Sequence, residues 1–248
     1  MIKKHLVFPS QLLKLVVIVF LISNISESYA QSTLSFGSEI GNNYMSENFY
    51  YSFFSGFSHQ VSENWNVSVS TGLIFKYSDN SFKGLKADIL RNIYIREKLL
   101  QLSLIYLWKP YSERVEEHNA AFLITRKINP IEYSIGLYSR TFNIRRKHFN
   151  YGSFESRSHT EPLNLMYRLS YRIIRTNKIN WQVGFGTFDN FIIQQETNPM
   201  ILSELNFKLN ENFQFILNAG YVQSGLLNIR VNYFGYYLRG GVCWFIVP

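Results

Sequence analysis

The chain holds too few cysteines, glycines and prolines for several large classes of protein. Cys243 is the one cysteine among 248 residues, which excludes an intramolecular disulfide framework and a zinc site built from several cysteines. The 14 glycines and 6 prolines are too few for a collagen-like or low-complexity disordered chain. Motifs for binding nucleotides or metals are also missing, so we expect no cofactor.

Charge is scarce as well. Charged residues make up 17% of the chain, whereas ordinary soluble domains carry roughly 25%. The formal net charge is +8, but the basic residues are scattered and form one run only, Arg145-Arg146-Lys147. A nucleic-acid-binding surface would need a basic patch or stripe, so nucleic acid is not an expected partner. Anionic membrane lipids or a small anionic solute suit this charge better.

Long apolar runs are absent after residue 30, so no transmembrane helix is expected in the body of the chain. The apolar stretch 15–22 follows a basic start and precedes Ser28-Tyr29-Ala30, which is typical of a signal-peptide cleavage site. This stretch is too short for a membrane anchor, which needs about 20 apolar residues. We therefore expect 1–30 to be a signal peptide and 31–248 to form a single exported domain.

What the chain has in abundance is apolar and aromatic residues in alternation with polar ones. From Trp65 to Tyr77, large or β-branched residues alternate with mostly small or polar ones. A strand points successive side chains to opposite faces, and these 13 residues exceed the usual strand of about five or six. The same alternation recurs over 163–174, 201–209 and 213–222. Such length is typical of strands that cross a membrane with an apolar outer face.

Extending this pattern predicts an all-β fold, a transmembrane antiparallel up-and-down β-barrel of about twelve strands. The predicted strands lie near 33–41, 48–60, 64–77, 86–96, 99–108, 119–127, 131–143, 162–174, 179–192, 200–209, 212–223 and 232–246. Short turns alternate with longer polar connections, which is typical of bacterial outer-membrane barrels whose short turns face the periplasm. Both chain termini are then expected in the periplasm. The strand 86–96 leaves open whether Arg91 or Asn92 faces lipid.

The four tryptophans fall near strand ends in this arrangement. Trp65, Trp181 and Trp244 lie at predicted periplasmic ends, and Trp108 lies at an outer end. Aromatic side chains gather at the two interfaces of a membrane. We therefore expect these four to form a membrane-interface girdle in contact with outer-membrane lipids.

The last predicted strand carries a short motif. It consists of Arg239, Gly241, Trp244 and Ile246, spaced as Arg-x-Gly-x-x-Trp-x-Ile. This motif resembles the β-signal of bacterial outer-membrane β-barrels as a class. The resemblance implies recognition by the barrel-assembly machinery during biogenesis. The same residues also suit an ordinary closing strand.

Charged residues on the predicted inner face would line the lumen of the barrel and give it a net charge near +3. These residues are Glu39, Lys76, Glu132, Arg140, Arg168, Arg172, Glu204, Lys208 and Arg239. Buried charges need a partner or water, and Glu132 and Arg172 are expected near enough to pair. A basic lumen lowers the barrier for anions, which predicts a small, anion-preferring, porin-like channel.

Two other functions stay open. A lumen closed by ion pairs would make the barrel a non-conducting scaffold or a surface-binding protein, and a basic connection could then bind acidic glycans or phosphates. The basic side chains of that connection are Arg145, Arg146, Lys147, His148 and Arg157. A lipid-acting hydrolase would need a serine and a histidine within reach, which leaves His118, or His148 with Ser153 and His159, as candidates. No Gly-x-Ser-x-Gly or His-Glu-x-x-His motif accompanies them, so no catalytic residue is assigned.

Overall fold

A computed structural model describes most of the chain after residue 30. The described stretches are 31–42, 49–74, 82–96, 98–110, 115–144, 158–189, 200–224 and 233–246. Several predictions fall outside the described residues and stay predictions. They are the signal peptide 1–30, the lumen residue Lys76, the loop residues Arg145, Arg146, Lys147, His148 and Arg157, and the hydrolase candidate Ser153.

Twelve strands form one closed antiparallel sheet. The strands are β1 Ser32–Asn42, β2 Phe49–Ser62, β3 Trp65–Ile74, β4 Phe82–Ile95, β5 Lys98–Pro110, β6 Val115–Ile128, β7 Ile131–Ile144, β8 Ser158–Arg175, β9 Ile179–Gly186, β10 Met200–Lys208, β11 Phe213–Ser224 and β12 Tyr233–Ile246. Each strand pairs with its neighbours in sequence, and β1 pairs with β12 to close the barrel. This confirms the predicted up-and-down barrel and its strand count. No helix in the described residues is long and apolar enough to cross a membrane.

The barrel has two unlike ends. Turns of two to four residues follow β2, β4, β6, β8 and β10 at one end, termed here the short-turn end. The first residue of β1 and the last of β12 lie at the same end, because Ser32 pairs with Ile246. The opposite end, termed the long-connection end, carries the remaining connections, the longest of which follow β7 and β9.

Alternation of side chains assigns the two faces of the wall. Along β8, Leu163 and Leu165 are exposed on the outside of the barrel, while Met166 and Ser170 are buried inside it. Large exposed apolar side chains recur on the outer face of all twelve strands. A continuous apolar surface of this kind is unsuited to water and matches the hydrocarbon of a bilayer.

Three strands start about four residues earlier than the sequence predicts. β4 begins at Phe82 instead of near 86, β6 at Val115 instead of near 119, and β8 at Ser158 instead of near 162. Among the added outward residues of β6 and β8 are His118 and Thr160, which are polar. In these two strands the apolar alternation that marks a membrane strand ends before the backbone pairing does, and sequence pattern alone misplaces such starts.

One strand ends earlier than predicted. β9 stops at Gly186, whereas the alternation extended it to 192. The backbone N–H of Thr187 donates to the carbonyl of Tyr167 at 2.8 Å, and the chain then turns so that Phe188 joins a buried cluster inside the barrel. Residues 187–189 are therefore part of the lumen and not of the wall.

The open question about β4 is settled by a stacking contact. The Arg91 guanidinium lies 5.1 Å from the centre of the Trp65 ring, and Trp65 is exposed on the outer face. Asn92 faces the lumen, where its side-chain oxygen accepts a hydrogen bond of 3.0 Å from Gln101. Arg91 is therefore the outward residue.

Side chains fill much of the lumen in its long-connection half. One buried apolar cluster consists of Leu107, Ala121, Leu123, Tyr138, Met166 and Phe188. A second consists of Met200, Leu202, Val222 and Tyr237. The core of this molecule is therefore the barrel interior, and the charged groups of the lumen lie against it.

Candidate functional site

An ion-pair cluster lies inside the lumen beside the seam where β1 meets β12. Arg239 is 3% exposed, its Nε donates to Glu39 at 2.8 Å, and its Nη2 lies 2.6 Å from Glu39 Oε2 and 3.2 Å from Asp189 Oδ2. The Tyr50 hydroxyl donates to the other Glu39 oxygen at 2.7 Å, and a side-chain hydrogen bond links Tyr237 to Asp189. Two carboxylates thus share one guanidinium and are further satisfied by two hydroxyls, which stabilises charges away from water. These five residues are termed the Arg239 cluster.

Two aromatic rings lie flat against the wall beside the Arg239 cluster. The Phe54 ring covers Gly37 and the Tyr237 ring covers Gly220, since a Cβ at either glycine would fall inside contact distance of the ring. The Arg239 guanidinium carbon lies 5.6 Å from the Phe54 ring centre and 4.9 Å from that of Tyr237, within cation–π range. The glycines therefore make room for rings that shield the buried charge.

A second ion pair joins β6 and β7 near the long-connection end. Arg140 contacts Glu117 through both arms of its guanidinium, with Nε–Oε1 at 2.9 Å and Nη2–Oε2 at 3.1 Å. Asn119 also donates to Glu117 at 2.7 Å, and the carboxylate is 1% exposed. The sequence predicted Arg140 as a lumen residue but missed Glu117, because that residue fell in the predicted connection 109–118.

A third ion pair spans the interior between β8 and β10. Arg168 Nη2 lies 2.7 Å from Glu204 Oε2, and Gln182 of the intervening β9 donates to the same oxygen. Arg168 Nε also donates to Ser170 at 3.2 Å. Sequence reasoning placed Arg168 and Glu204 on the inner face separately, and the structure brings them together.

The predicted pairing of Glu132 with Arg172 is wrong. Glu132 Oε2 lies 3.6 Å from Lys127 Nζ on the neighbouring β6, while Arg172 Nη1 donates to the side chain of Asn129 in the short turn before β7. Lys208, also predicted for the lumen, is exposed at the short-turn mouth. Lys127 is directly opposite Glu132 in the register of β6 and β7. On the other side Glu132 is opposite Ser170 of β8, so Arg172 lies two residues further along. Alternation identifies the face of each residue but not this register.

The net charge of the described lumen is closer to zero than the predicted value near +3. Three acids that sequence reasoning left out, Asp88, Glu117 and Asp189, each lie at ion-pair distance from a basic group. Among the described residues, Arg172 and Lys208 have no carboxylate at that distance. The unbalanced positive charge of the described lumen is therefore at its short-turn mouth.

The short-turn half of the lumen is lined by small polar side chains. Hydrogen bonds join them in pairs between neighbouring strands, so these side chains lie along the wall and not across the lumen. The part-buried pairs are Ser58 with Asn66 at 2.9 Å, Gln101 with Asn92 at 3.0 Å and Gln214 with Asn206 at 3.2 Å. Thr125 and Ser134, 2.7 Å apart, form a further pair that is buried. The part-buried pairs leave polar groups on a surface that water can wet.

All four tryptophans lie on the outward face. Trp65 and Trp244 are each 41% exposed at the short-turn end, and the Trp181 indole N–H at that end donates to Ser203 at 3.0 Å. Trp108 lies at the long-connection end, where its N–H donates to Glu116 at 3.4 Å. Their positions suit two interfacial belts, and contact with lipid stays a prediction.

His118 and His59 do not form a serine hydrolase site within the described part of the chain. His118 Nδ1 lies 2.6 Å from the Tyr106 hydroxyl, and Nε2 lies 3.7 Å from Glu116 on the outer face. His59 Nδ1 lies 3.0 Å from Ser32 Oγ, but Nε2 has no hydrogen-bond partner among the described residues, so no acid orients that ring.

A metal site is not evident in the described residues either. Among them, no group of three or more His, Cys, Asp or Glu side chains could hold a metal ion.

Solved structures share this fold at low sequence identity. The NanC porin matches with a TM-score of 0.53 and 10% identity, covering 85% of this chain and 98% of that one. The translocator domain of the autotransporter NalP from Neisseria meningitidis matches with a TM-score of 0.54 and 12% identity, covering 95% of each. The KdgM porin in complex with disordered oligogalacturonate matches with a TM-score of 0.52 and 9% identity, covering 86% of this chain and 98% of that one. No protein-family model and no curated protein matches the chain. The likeness is one of fold, that of bacterial outer-membrane β-barrels.

Proposed function

We propose that the protein is a narrow channel of the bacterial outer membrane that admits small solutes and prefers anions. The observation that carries this proposal is the short-turn half of the lumen, whose small polar side chains lie along the wall. A barrel that served only as a scaffold could fill its interior with apolar side chains, as the long-connection half partly does. A polar lining has a use when water and solutes enter.

The bore is expected to be small. Twelve strands lie between eight-stranded barrels filled with side chains and 16-stranded porins with a wide aqueous channel. The Arg239 cluster and the pair of Arg140 with Glu117 further narrow the long-connection half. Rings of charged side chains at a constriction sort ions by sign, so passage there depends on charge as well as size.

The preference for anions depends on the short-turn mouth. Positive charge elsewhere in the described lumen is compensated by carboxylates, for example Arg168 by Glu204. Arg172 and Lys208 lack such a partner among the described residues, and their field would raise the local concentration of anions at the entrance. We therefore expect a modest preference.

The channel proposal predicts a selectivity change that bilayer recordings can measure. Purified protein in planar bilayers should conduct ions and favour anions at low salt, and the double variant Arg172→Glu with Lys208→Glu should lose or reverse that preference. The preference should fade at 1 M salt, where the screening length falls to about 3 Å. The double variant Arg91→Glu with Arg126→Glu makes the same change of charge away from the lumen and should leave selectivity unaltered.

Two results would count against this proposal. Wild-type protein that does not conduct would favour the non-conducting scaffold. Conductance with unaltered selectivity in the Arg172 and Lys208 double variant would show that these residues do not line the path.

Location and orientation give a second prediction. We expect residues 1–30 to be removed on export and the mature chain to start at Gln31, with the short turns and both termini in the periplasm. The chain should fractionate with outer membranes and show heat-modifiable gel migration. An epitope inserted at Tyr151 should be reachable on intact cells, while one at Glu63 or Glu211 should not. Inverted accessibility would overturn the orientation, and recovery as a soluble periplasmic protein would overturn the location.

A further inference from the structure

A small cavity lies inside the lumen next to the Arg239 cluster, between the wall formed by β4 and β5 and the wall formed by β8. Its volume is about 60 Å³. Part of its lining is apolar, from Ile105, Leu107, Met166 and Phe188. The rest is charged, from Lys86, Arg168 and Asp189. The cavity is therefore amphipathic, with apolar and charged side chains next to one another.

The two basic groups of this cavity have hydrogen-bonding capacity to spare. The Lys86 ammonium lies 3.8 Å from Asp88 Oδ2, which is beyond hydrogen-bond length. Arg168 uses Nη2 for Glu204 and Nε for Ser170, which leaves Nη1 without a bonded partner among the described residues. A guanidinium has five N–H donors and an ammonium has three, so both can bind a further acceptor.

The acid of the cavity is already engaged. Asp189 Oδ2 lies 3.2 Å from Arg239 Nη2, and Tyr237 is hydrogen-bonded to the same carboxylate. A ligand in the cavity therefore meets two available cationic donors and an apolar wall, while the acid is held by its neighbours. This combination fits an anion with a short apolar body.

The volume of the cavity limits the size of the ligand that it can hold. A buried water occupies roughly 10–15 Å³ on this scale, so a cavity of about 60 Å³ has room for roughly four to six such spheres. We propose that this cavity binds a short aliphatic carboxylate such as propionate. Its carboxylate bridges Lys86 and Arg168, and its chain lies against Leu107, Met166 and Phe188. The inference rests on the proposed channel only for the access of the ligand through the lumen.

Binding can be measured without conduction. Isothermal titration of the full mature chain, folded in detergent, with sodium propionate at fixed ionic strength should show saturable binding. Lys86→Met and Arg168→Met should each weaken it by roughly tenfold or more, because each removes a charge-assisted hydrogen bond. Arg91→Met removes an arginine from the outer face and should leave the affinity unchanged. Heat-modifiable migration and far-UV circular dichroism check that each variant is folded.

A second variant keeps the test decisive if the loss of a charge impairs folding. Ile105→Phe keeps all charges and fills the cavity, and it should also weaken propionate binding by about tenfold. Propylammonium, which has a similar apolar body and the opposite charge, should not compete. Binding of propionate that is indifferent to Lys86→Met and Ile105→Phe, or equal binding of propylammonium, would overturn the proposal.

The binding experiment tests the propionate site independently of the channel proposal. Saturable propionate binding in protein that does not conduct would keep the site and refute the channel. Conductance in protein that binds no propionate would keep the channel and refute the site.

Discussion

Replacing Arg239 with methionine should lower the free energy of unfolding by about 3–5 kcal/mol, the usual cost of removing one partner from a buried ion pair. Glu39 is 1% exposed, and it would keep its charge beside Asp189 after losing the guanidinium that the two carboxylates share. Like charges in a low-dielectric interior repel strongly. The loss of stability can be measured by unfolding the protein, folded into lipid vesicles, with guanidinium chloride. Tryptophan fluorescence would follow the transition.

A triple variant separates charge imbalance from lost packing. Arg239→Met combined with Glu39→Gln and Asp189→Asn removes the charge of all three side chains, and stability should recover most of the loss, because replacing a whole buried ion cluster by neutral groups is often close to neutral. Arg91→Met, on the outer face, is the matched control and should cost less than about 1 kcal/mol. A loss below about 1 kcal/mol for Arg239→Met would mean that water reaches the cluster and already screens its charges.

Gly220→Val should produce the second large effect. A Cβ at Gly220 would meet the Tyr237 ring, so the ring must leave its place beside Met200, Leu202 and Val222. Overpacking of this kind costs about 1–3 kcal/mol. Because Tyr237 lies on the inner face, the displaced ring should move further into the lumen and also reduce the single-channel conductance of a barrel that conducts.

The chain offers a matched control for this variant on the neighbouring strand. Gly240 faces outward on β12, and an added Cβ there meets no atom within 4 Å. Gly240→Val is therefore expected to change unfolding free energy by less than about 0.5 kcal/mol, with conductance unaltered. Equal destabilisation by both substitutions would show that glycine at these positions serves the backbone and not the aromatic ring.

Alternation alone was enough to predict which face most side chains occupy. Arg140, Arg168, Glu204 and Arg239 were assigned to the lumen from sequence, and the structure places all four inside. The reason is physical: a one-residue shift would put every apolar side chain of a strand on the polar face, so a membrane barrel tolerates little ambiguity of face.

Partnership between charged side chains was not predictable in the same way. Asp189 reaches Arg239 because residues 187–189 leave the wall and enter the lumen, and no alternation signals such a turn. Glu117 lies where the outward residues of β6 become polar, so the strand looked like a connection. Which charged side chains pair depends on the register between strands and on how far each strand extends along the barrel. Both are set by backbone hydrogen bonds, which any residue can make, so the side-chain pattern does not reveal them.

The unequal lengths of the strands bear on how the bilayer fits the barrel. β9 has 8 residues and β10 has 9, whereas β2 and β7 have 14 each. At about 3.3 Å per residue and a tilt near 40°, β9 gives a wall about 20 Å high and β2 one of about 35 Å. The hydrocarbon band around such barrels is about 25 Å, which is roughly 5 Å more than the described length of β9 covers. A bilayer that matches this length thins at a cost of fractions of a kcal/mol per ångström. Lipids with short acyl chains are then expected to gather on this side, and the barrel should lean in the bilayer by a fixed amount.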